Sequence, residues 1–379
     1  MKHFFTILFV LSSFQIFAQL INATMMHDGL ERDYQVYLPA NYEPGDQLPL
    51  VFNLHGIGSN NLEQGIYSVF SPVADTANFI LCLPNGTPSP TGGNFWDVNF
   101  PFAVAEVDDV GFINALIDTL YENYDINLDK VYATGMSNGG YMSYKLACEL
   151  TDRFQAIASV TGSIVPSELD LCMPTSTFPI MQIHGTADPT VAYAGSVFGV
   201  GIENLVSYWV EHNDCANSPD TTYIAESTAA DMSSAVKISY TDCDTDREVI
   251  FFKIIGGEHT WPGAFIPIGI TNQDINASIE IWNFFNQYGV DIETSNNNIN
   301  NDIKISLQPN PTTTQLSIRS NVAYLLEVRV LNNLGQTIFS EKNINNNIHT
   351  IATEHFPNGI YFLDIQTDKG RKNMPFVKQ

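Results

Sequence analysis

Basic residues are scarce in this 379-residue chain, which has 16 Lys and Arg against 41 Asp and Glu and a formal net charge of −25. The imbalance is uneven, because residues 303–379 carry a net charge of +3 and the remainder therefore carries −28. A protein that binds nucleic acid needs a basic face. The large acidic part therefore argues against nucleic acid as its partner, and the change of sign predicts a domain boundary.

Long apolar runs are absent after the first residues. Phe4 to Phe17 is apolar, Lys2 and His3 precede it, and Ala18 offers a small residue for cleavage. This run is too short for a comfortable transmembrane span, and no second run follows it. The pattern predicts a signal peptide over residues 1–18, an exported protein and no stable membrane span.

Cysteine is also rare, with five residues in the whole chain. In an exported protein they are expected to form disulfides, and the odd number leaves one over. Cys82 lies in the apolar run 79–83 and is interpreted as a buried small hydrophobe. The other four could pair as Cys148–Cys172 and Cys215–Cys243, although the sequence leaves the connectivity open. No Cys and His spacing matches a zinc site.

Near-continuous apolar strands alternate with amphipathic helices through the first 290 residues. The pattern predicts strands at 34–38, 48–54, 79–83, 130–133, 154–160, 179–183 and 249–255, with helices after the third, fourth, sixth and seventh of them. Such alternation is typical of an α/β fold with a mostly parallel sheet covered on both faces. Ligands bind such sheets at the carboxyl ends of the strands.

The pattern changes after an Asn-rich linker at 291–302. Short alternating strands at 316–318, 326–330, 336–338 and 360–365, with turn signals between them, predict a small antiparallel β-sandwich over 303–379. The domain at 19–290 would then be the α/β domain.

Gly135-Met136-Ser137-Asn138-Gly139 fits the Gly-x-Ser-x-Gly nucleophile elbow. A strand precedes it, and apolar residues recur every four positions after it, as in an amphipathic helix. The serine is therefore predicted where a strand turns sharply into a helix, and the glycines leave room for that turn. The alternative is a glycine-rich turn with an idle serine.

A serine nucleophile needs a base, and the base needs an acid to orient it. His259, in the loop after strand 249–255, is the predicted base, and Asp188, after strand 179–183, is the predicted acid. Their order along the chain, Ser then Asp then His, is that of α/β-hydrolases. The rival acids Asp108 and Asp109 precede the nucleophile strand, which is the wrong place for the third member.

Other histidines and an oxyanion hole complete the expected site. His55 and His184 each end a strand in a His-Gly pair and are interpreted as turn residues that pack near the site. The hole needs two backbone N–H donors, and we assign them to Asn138 and Ile57. Two tryptophans, Trp96 and Trp261, are expected either to line the substrate pocket or simply to pack against other side chains.

Several long motifs resemble the secreted polyhydroxybutyrate depolymerase/feruloyl esterase family, which belongs with carbohydrate esterase family one. They are His55-Gly56, Val107 to Ile113, Tyr132 to Gly140, Cys148 to Leu150, His184 to Asp188 and Gly256 to Gly263. The resemblance spans roughly residues 25–290. It implies an α/β-hydrolase fold, Ser137 as nucleophile, Asp188 as acid, His259 as base, no metal or other cofactor, and esters of hydroxyacids or plant polysaccharides as substrates.

The C-terminal part is similar to the sorting domain of the type IX secretion system of Bacteroidetes. The similarity lies in Gln308 to Thr312, Leu334 to Gln336 and Asn358 to Leu363. It implies the type IX secretion machinery as a partner and an extracellular or cell-surface location, with the tail removed or used for attachment. Pro375 interrupts the expected last strand, 373–378, and suits an edge strand.

The sequence favours a secreted serine carboxylesterase that cleaves feruloyl or acetyl esters on a polymer. A polyhydroxyalkanoate depolymerase is the first alternative. An inactive hydrolase fold that binds carbohydrate is the second, and the predicted triad order argues against it. A secreted serine peptidase is the third, but no propeller-like repeat precedes the hydrolase domain.

Overall fold

The computed structural model describes residues 19–89, 92–101, 107–227, 229–289, 305–320, 323–332, 337–368 and 370–378. The predicted signal peptide at 1–18 and linker at 291–302 lie outside these residues. Strands are β1 Gln19–His27, β2 Leu30–Leu38, β3 Leu50–Leu54, β4 Ile80–Pro84, β5 Thr87–Pro88, β6 Asn94–Phe95, β7 Val131–Met136, β8 Ala156–Val160, β9 Ile180–Gly185, β10 Asp220–Tyr223, β11 Ser234–Tyr240 and β12 Val249–Ile255. Helices are α1 Asn61–Ser68, α2 Ser71–Ala77, α3 Asp109–Tyr124, α4 Asn138–Glu149, α5 Pro166–Leu169, α6 Ile202–His212 and α7 Ala277–Phe285.

One ten-stranded sheet organises the first domain, in the order β1-β2-β4-β3-β7-β8-β9-β12-β11-β10. The six strands from β4 to β12 in this order run parallel to one another. Both faces are covered, since Leu50, Phe52 and Leu54 of β3 join one apolar core and Val51 joins the other. Burial on both faces explains why the central strands read as continuous apolar runs, and it confirms the predicted fold class.

Three outer strands of the sheet differ from the sequence prediction. β1, β10 and β11 were not predicted. These strands pair antiparallel at the two margins of the sheet. The residues of β10 are all exposed and those of β1 alternate between exposed and half-buried, so neither strand carries an apolar run. The short helices α1 and α2 were missed as well.

The disulfides are those considered from the sequence. Cys148 is bonded to Cys172 and Cys215 to Cys243, while Cys82 is a free, buried thiol. Burial raises the pKa of the Cys82 thiol, so it stays neutral in the core. Within the described residues, no helix has the length and apolar character that a membrane crossing requires.

The C-terminal domain is a small antiparallel sandwich, as predicted. Its strands are β13 Ile305–Gln308, β14 Gln315–Ser320, β15 Leu325–Leu331, β16 Thr337–Asn346, β17 Ile348–Ala352, β18 Gly359–Thr367 and β19 Gly370–Lys378. They form one sheet in the order β13-β14-β17 and another in the order β16-β15-β18-β19, with an apolar core of their own. Pro375 lies in β19, an edge strand, as expected. The motif residues 334–336 lie outside the described part of the chain.

Candidate active site

Ser137 occupies a sharp turn between β7 and α4. Its backbone has φ 54° and ψ −120°, a combination that residues other than glycine rarely adopt. The turn needs bare glycines beside it, since a Cβ on Gly135 would lie 2.5 Å from Gly139 and a Cβ on Gly139 2.2 Å from Leu54 O. Ser137 N donates to Val160 O at 2.9 Å, which ties the turn to the end of β8. The strained strand–turn–helix geometry is the one that the motif predicts.

Asp188 and His259, 71 residues apart, are hydrogen-bonded. His259 Nδ1 lies 2.8 Å from Asp188 Oδ2. The two residues follow β9 and β12, which are parallel neighbours. Asp188 Oδ1 accepts two further hydrogen bonds, from the backbone N–H groups of Thr190 and Val191, each at 2.8 Å. The rival acids have other partners: Asp108 caps α3 and Asp109 pairs with Arg32.

The carboxyl group of Asp188 is held ionised. Burial acts to raise the pKa of Asp188, but hydrogen bonds from His184 and His259 outweigh it and hold the pKa well below its usual range. The side chain of Asp188 is fully buried and that of His259 is 17% exposed. The pair can therefore present a histidine to solvent while its orienting charge stays shielded.

Ser137 lies at the same edge of the sheet as this pair. Its strand β7 is separated from β9 by β8 alone. Among the described residues, no hydrogen bond joins Ser137 Oγ to His259. In free enzymes the contact between nucleophile and base is often long and tightens once substrate binds.

The loop after β3 packs directly against the serine. A Cβ on Gly56 would lie 3.4 Å from Ser137 Cβ, so the backbone passes close to the nucleophile position. The backbone N–H of Gly58 donates a hydrogen bond to Asn94 O at 2.8 Å. Ile57 lies between these glycines and is 42% exposed. Asn138 is the first residue of α4, where backbone N–H groups lack helical partners.

The side chain of Asn138 has a role that the sequence did not reveal. Its Oδ1 accepts from Trp96 N at 2.7 Å and its Nδ2 donates to Trp96 O at 3.0 Å. This reciprocal pair joins the start of α4 to the segment around β6. Trp96 Nε1 in turn donates to His55 O at 3.1 Å. No spacing or composition signal marks such an amide clamp.

The sequence left two roles open for Trp96 and Trp261, substrate binding and packing. Trp96 is completely buried and Trp261 is 1% exposed. Both ring N–H groups are donated inside the protein, that of Trp261 to Ser278 Oγ at 3.1 Å. Neither ring offers a face to a ligand in this structure, so the packing alternative describes them.

His55 is a buried turn residue, as the sequence interpretation had it. Its Nδ1 donates to Gly56 O at 2.8 Å, and its Nε2 accepts from Gly86 N at 3.0 Å. Burial lowers the pKa of His55 to about 4, against the opposing effect of the Gly56 hydrogen bond. The neutral ring therefore braces the loop that runs beside Ser137.

A small cavity of about 40 Å³ begins one helical turn beyond the serine. Tyr141, whose N–H donates to Ser137 O at 3.0 Å, forms its near end. The walls combine apolar and charged side chains, namely those of Val98, Lys145, Ile164, Val165, Glu168 and Leu171. Within the described part of the chain, no three His, Cys, Asp or Glu side chains are grouped to hold a metal ion.

Residues 27–250 match the family model described as "Putative esterase". The chain belongs to this esterase family. Residues 306–379 of the esterase match a second model, "Secretion system C-terminal sorting domain". The esterase therefore carries a type IX sorting domain, which directs it to the cell surface or the extracellular space.

Relatives of the esterase include enzymes with two named activities. It is 24% identical over 271 residues to a bifunctional acetylxylan esterase/xylanase of Neocallimastix patriciarum, covering 72% of this chain but only 35% of that protein. It is 27% identical over 267 residues to a probable feruloyl esterase C of Aspergillus oryzae, covering 69% of this chain and 86% of that protein. The structure of an acetyl xylan esterase from Aspergillus awamori shares the fold, with TM-score 0.52, 17% identity and coverage of 71% and 99%.

Proposed function

We propose that this esterase is a serine carboxylesterase with Ser137 as nucleophile, His259 as base and Asp188 as the acid that orients the base. The observation that carries the proposal is the Asp188–His259 hydrogen bond, formed at the strand edge where Ser137 sits in a strained elbow. Asp188 and His259, far apart in sequence, meet at the sheet edge where β7 ends at the elbow, and the chain order Ser, Asp, His is typical of α/β-hydrolases. The proposed esterase domain spans residues 19–290 and the sorting domain residues 303–379.

In the proposed reaction Ser137 Oγ attacks the ester carbonyl while His259 Nε2 takes its proton. The tetrahedral intermediate collapses, the C–O bond to the alcohol breaks, and His259 returns the proton to the leaving alcohol. Water then attacks the acyl-enzyme with His259 again as base, which releases the carboxylic acid and regenerates the serine. Asp188 keeps His259 in the tautomer with its proton on Nδ1.

The oxyanion would be held by the backbone N–H groups of Asn138 and Ile57. Asn138 supports this role because its amide lies in the first turn of α4, directly after the nucleophile. Ile57 supports it because the adjoining Gly56 abuts Ser137, whereas the Gly58 amide is already donated elsewhere. Two such donors stabilise the charge that develops on the carbonyl oxygen.

Feruloyl or acetyl esters of plant polysaccharides are the proposed substrates. The named activities of the relatives support this class. Export to the cell surface would bring the enzyme to polymers too large to enter the cell.

The test is Ser137→Ala, assayed on p-nitrophenyl acetate and labelled with a fluorophosphonate. We expect loss of turnover and loss of labelling. Ser207→Ala is the matched control, because Ser207 is exposed on α6 and its hydroxyl donates only to its own helix, at Glu203 O. Undiminished turnover by the Ser137 variant would remove the serine mechanism, and a fully unreactive parent would favour the carbohydrate-binding alternative.

A polyester such as a polyhydroxyalkanoate is the second candidate. It is favoured by large apolar side chains that are exposed on the loops after β9 and β12, at the same sheet edge: Val197, Phe198, Phe265, Ile266 and Ile268. An exposed apolar rim suits the surface of an apolar polymer. Rates on methyl ferulate, acetylated xylan and polyhydroxybutyrate, measured side by side, decide between the two classes.

A further inference from the structure

A second histidine stands behind the proposed acid. His184, the fifth residue of β9, is completely buried. Its Nε2 lies 2.9 Å from Val191 O and 3.3 Å from Asp188 Oδ2, the oxygen that also faces His259. The mechanism above makes no use of this residue.

The side chain of Gln182 determines which ring nitrogen of His184 carries the proton. Gln182 Nε2 lies 3.0 Å from Gly162 O, and because a carbonyl only accepts, the nitrogen of the amide must face it. The same Nε2 lies 2.9 Å from His184 Nδ1, which must then accept. Gln182 Oε1 accepts from Tyr144 OH at 2.8 Å, which completes the arrangement.

His184 therefore carries its single proton on Nε2 and directs that N–H toward Val191 O and Asp188 Oδ2. Val191 is tied to the acid a second time, since its own N–H donates to Asp188 Oδ1 at 2.8 Å. Gln182 and Tyr144 are completely buried, so no water competes for these contacts. One imidazole N–H thus contacts both the turn around Asp188 and the carboxylate itself.

We propose that His184 is a positioning residue of the esterase reaction, held in one tautomer by Gln182, which fixes the Asp188 turn and aims its carboxylate at His259. This inference rests on the proposed function, because it assigns a role in aligning the same base. It predicts that loss of the Nε2 donor slows the chemical step and leaves substrate binding alone. A residue that served the fold alone would change stability instead.

Two substitutions of His184 by an amide side chain test the Nε2 hydrogen-bond donor separately from the imidazole ring. In His184→Gln the amide nitrogen can reach the former Nε2 position, whereas in His184→Asn it ends near the former Nδ1 position and cannot reach Asp188. We expect H184N to lower kcat by about tenfold to a hundredfold, as for loss of a hydrogen bond to a charged group, with KM within about twofold. H184Q should recover most of this loss. His212→Asn, at the end of α6, is the matched control.

Gln182→Met is the second variant, in case H184N does not fold. It keeps His184 but removes the donor that sets its tautomer, and we expect a lower kcat at constant KM. Thermal unfolding of each variant identifies those that are folded. A folded H184N or Q182M with the parent's kcat, or an H184Q as slow as a folded H184N, would overturn the inference.

The outcomes also separate this inference from the proposed function. If the parent labels with a fluorophosphonate at Ser137 and Ser137→Ala is inactive while the His184 variants label at the parent's rate, the triad stands and the role of His184 falls. If Ser137 does not react in the parent, the proposed function falls and the role of His184 falls with it.

Discussion

Strand β9 ends in a His-Gly pair and β3 is followed directly by one, and an amide side chain lies two residues before each histidine. At the end of β3, Asn53 turns its amide to Ser68 and Gln64, and His55 carries its proton on Nδ1 to bond Gly56 O. At the end of β9, Gln182 bonds the histidine itself, so His184 carries its proton on Nε2. Similar sequence thus yields opposite tautomers.

The difference follows from what each ring faces. His55 accepts the backbone N–H of Gly86 and braces an uncharged loop, whereas His184 donates beside a carboxylate. The neighbours of a histidine therefore decide its role, and the His-Gly pair alone does not. The β3 end supports the loop proposed to hold the oxyanion, and the β9 end supports the proposed acid.

The largest effect should come from removing the charge at the β9 end. In Asp188→Asn, His259 loses the partner that orients it, and we expect kcat to fall by roughly 10³-fold to 10⁴-fold, as in other Asp-to-Asn triad variants. Steady-state rates on p-nitrophenyl acetate measure this. Asp118→Asn, an exposed change on α3, should leave the rate intact. A loss smaller than about tenfold would mean that Asp188 is not the acid.

A buried ion pair between Arg32 and Asp109 supports the β3 end. Arg32 lies 2.6 Å from Asp109 Oδ1 and donates to Asn85 O at 3.1 Å, next to the Gly86 amide that bonds His55. Burial raises the pKa of Asp109, and Arg32 opposes that rise. Arg32→Met leaves a buried carboxylate unpaired, so the free energy of unfolding should fall by about 3–5 kcal/mol.

Urea unfolding of Arg32→Met and of Arg32→Met/Asp109→Leu measures this effect. The double variant removes both charges and should recover much of the loss. A loss below about 1 kcal/mol in the single variant would show that the pair does not support the β3 end.

The β3 end should contribute to the pH dependence of the free energy of unfolding through His55. Burial lowers the pKa of folded His55 from 6.5 to about 4, so the unfolded chain binds a proton that the folded chain refuses. The stability from neutral His55 is complete above pH 6.5 and is lost as the pH falls toward 4, a difference of roughly 3 kcal/mol. His55→Gln should remove this component. Unfolding free energies of parent and variant that fall in parallel between pH 7 and pH 4 would contradict it.

The smallest effect should come from the amide clamp between Asn138 and Trp96, which joins the start of α4 to the segment around β6. Asn138→Ala keeps the main-chain N–H proposed for the oxyanion but loses both side-chain bonds to Trp96. We expect kcat to fall by about fivefold to tenfold, as the segment around Trp96 loosens. Asn123→Ala, on the exposed face of α3, is the control. A variant that turns over as fast as the parent would show that the clamp serves the fold alone.

Sequence reasoning reached the central strands and the motif residues because both leave local signals. Strands buried on two faces read as apolar runs, and the elbow at Ser137 needs glycines at set positions. It missed β1 and β10, whose many exposed residues leave no such run, and it missed β11, in which apolar and polar residues are mixed. It also missed the partners of Asn138 and His184, because these hydrogen bonds depend on the direction in which each side chain points, which no sequence pattern records.

The central claim is that Ser137 carries the acyl group during turnover, and acid quenching tests it most directly. Enzyme quenched during turnover of p-nitrophenyl acetate would be digested with a protease and its peptides examined by mass spectrometry, with His259→Ala alongside. We expect one acetyl group on the peptide of the parent that contains Ser137, located at that residue, and none in the variant. Continued turnover by the parent with no acetyl group on Ser137 would contradict the account.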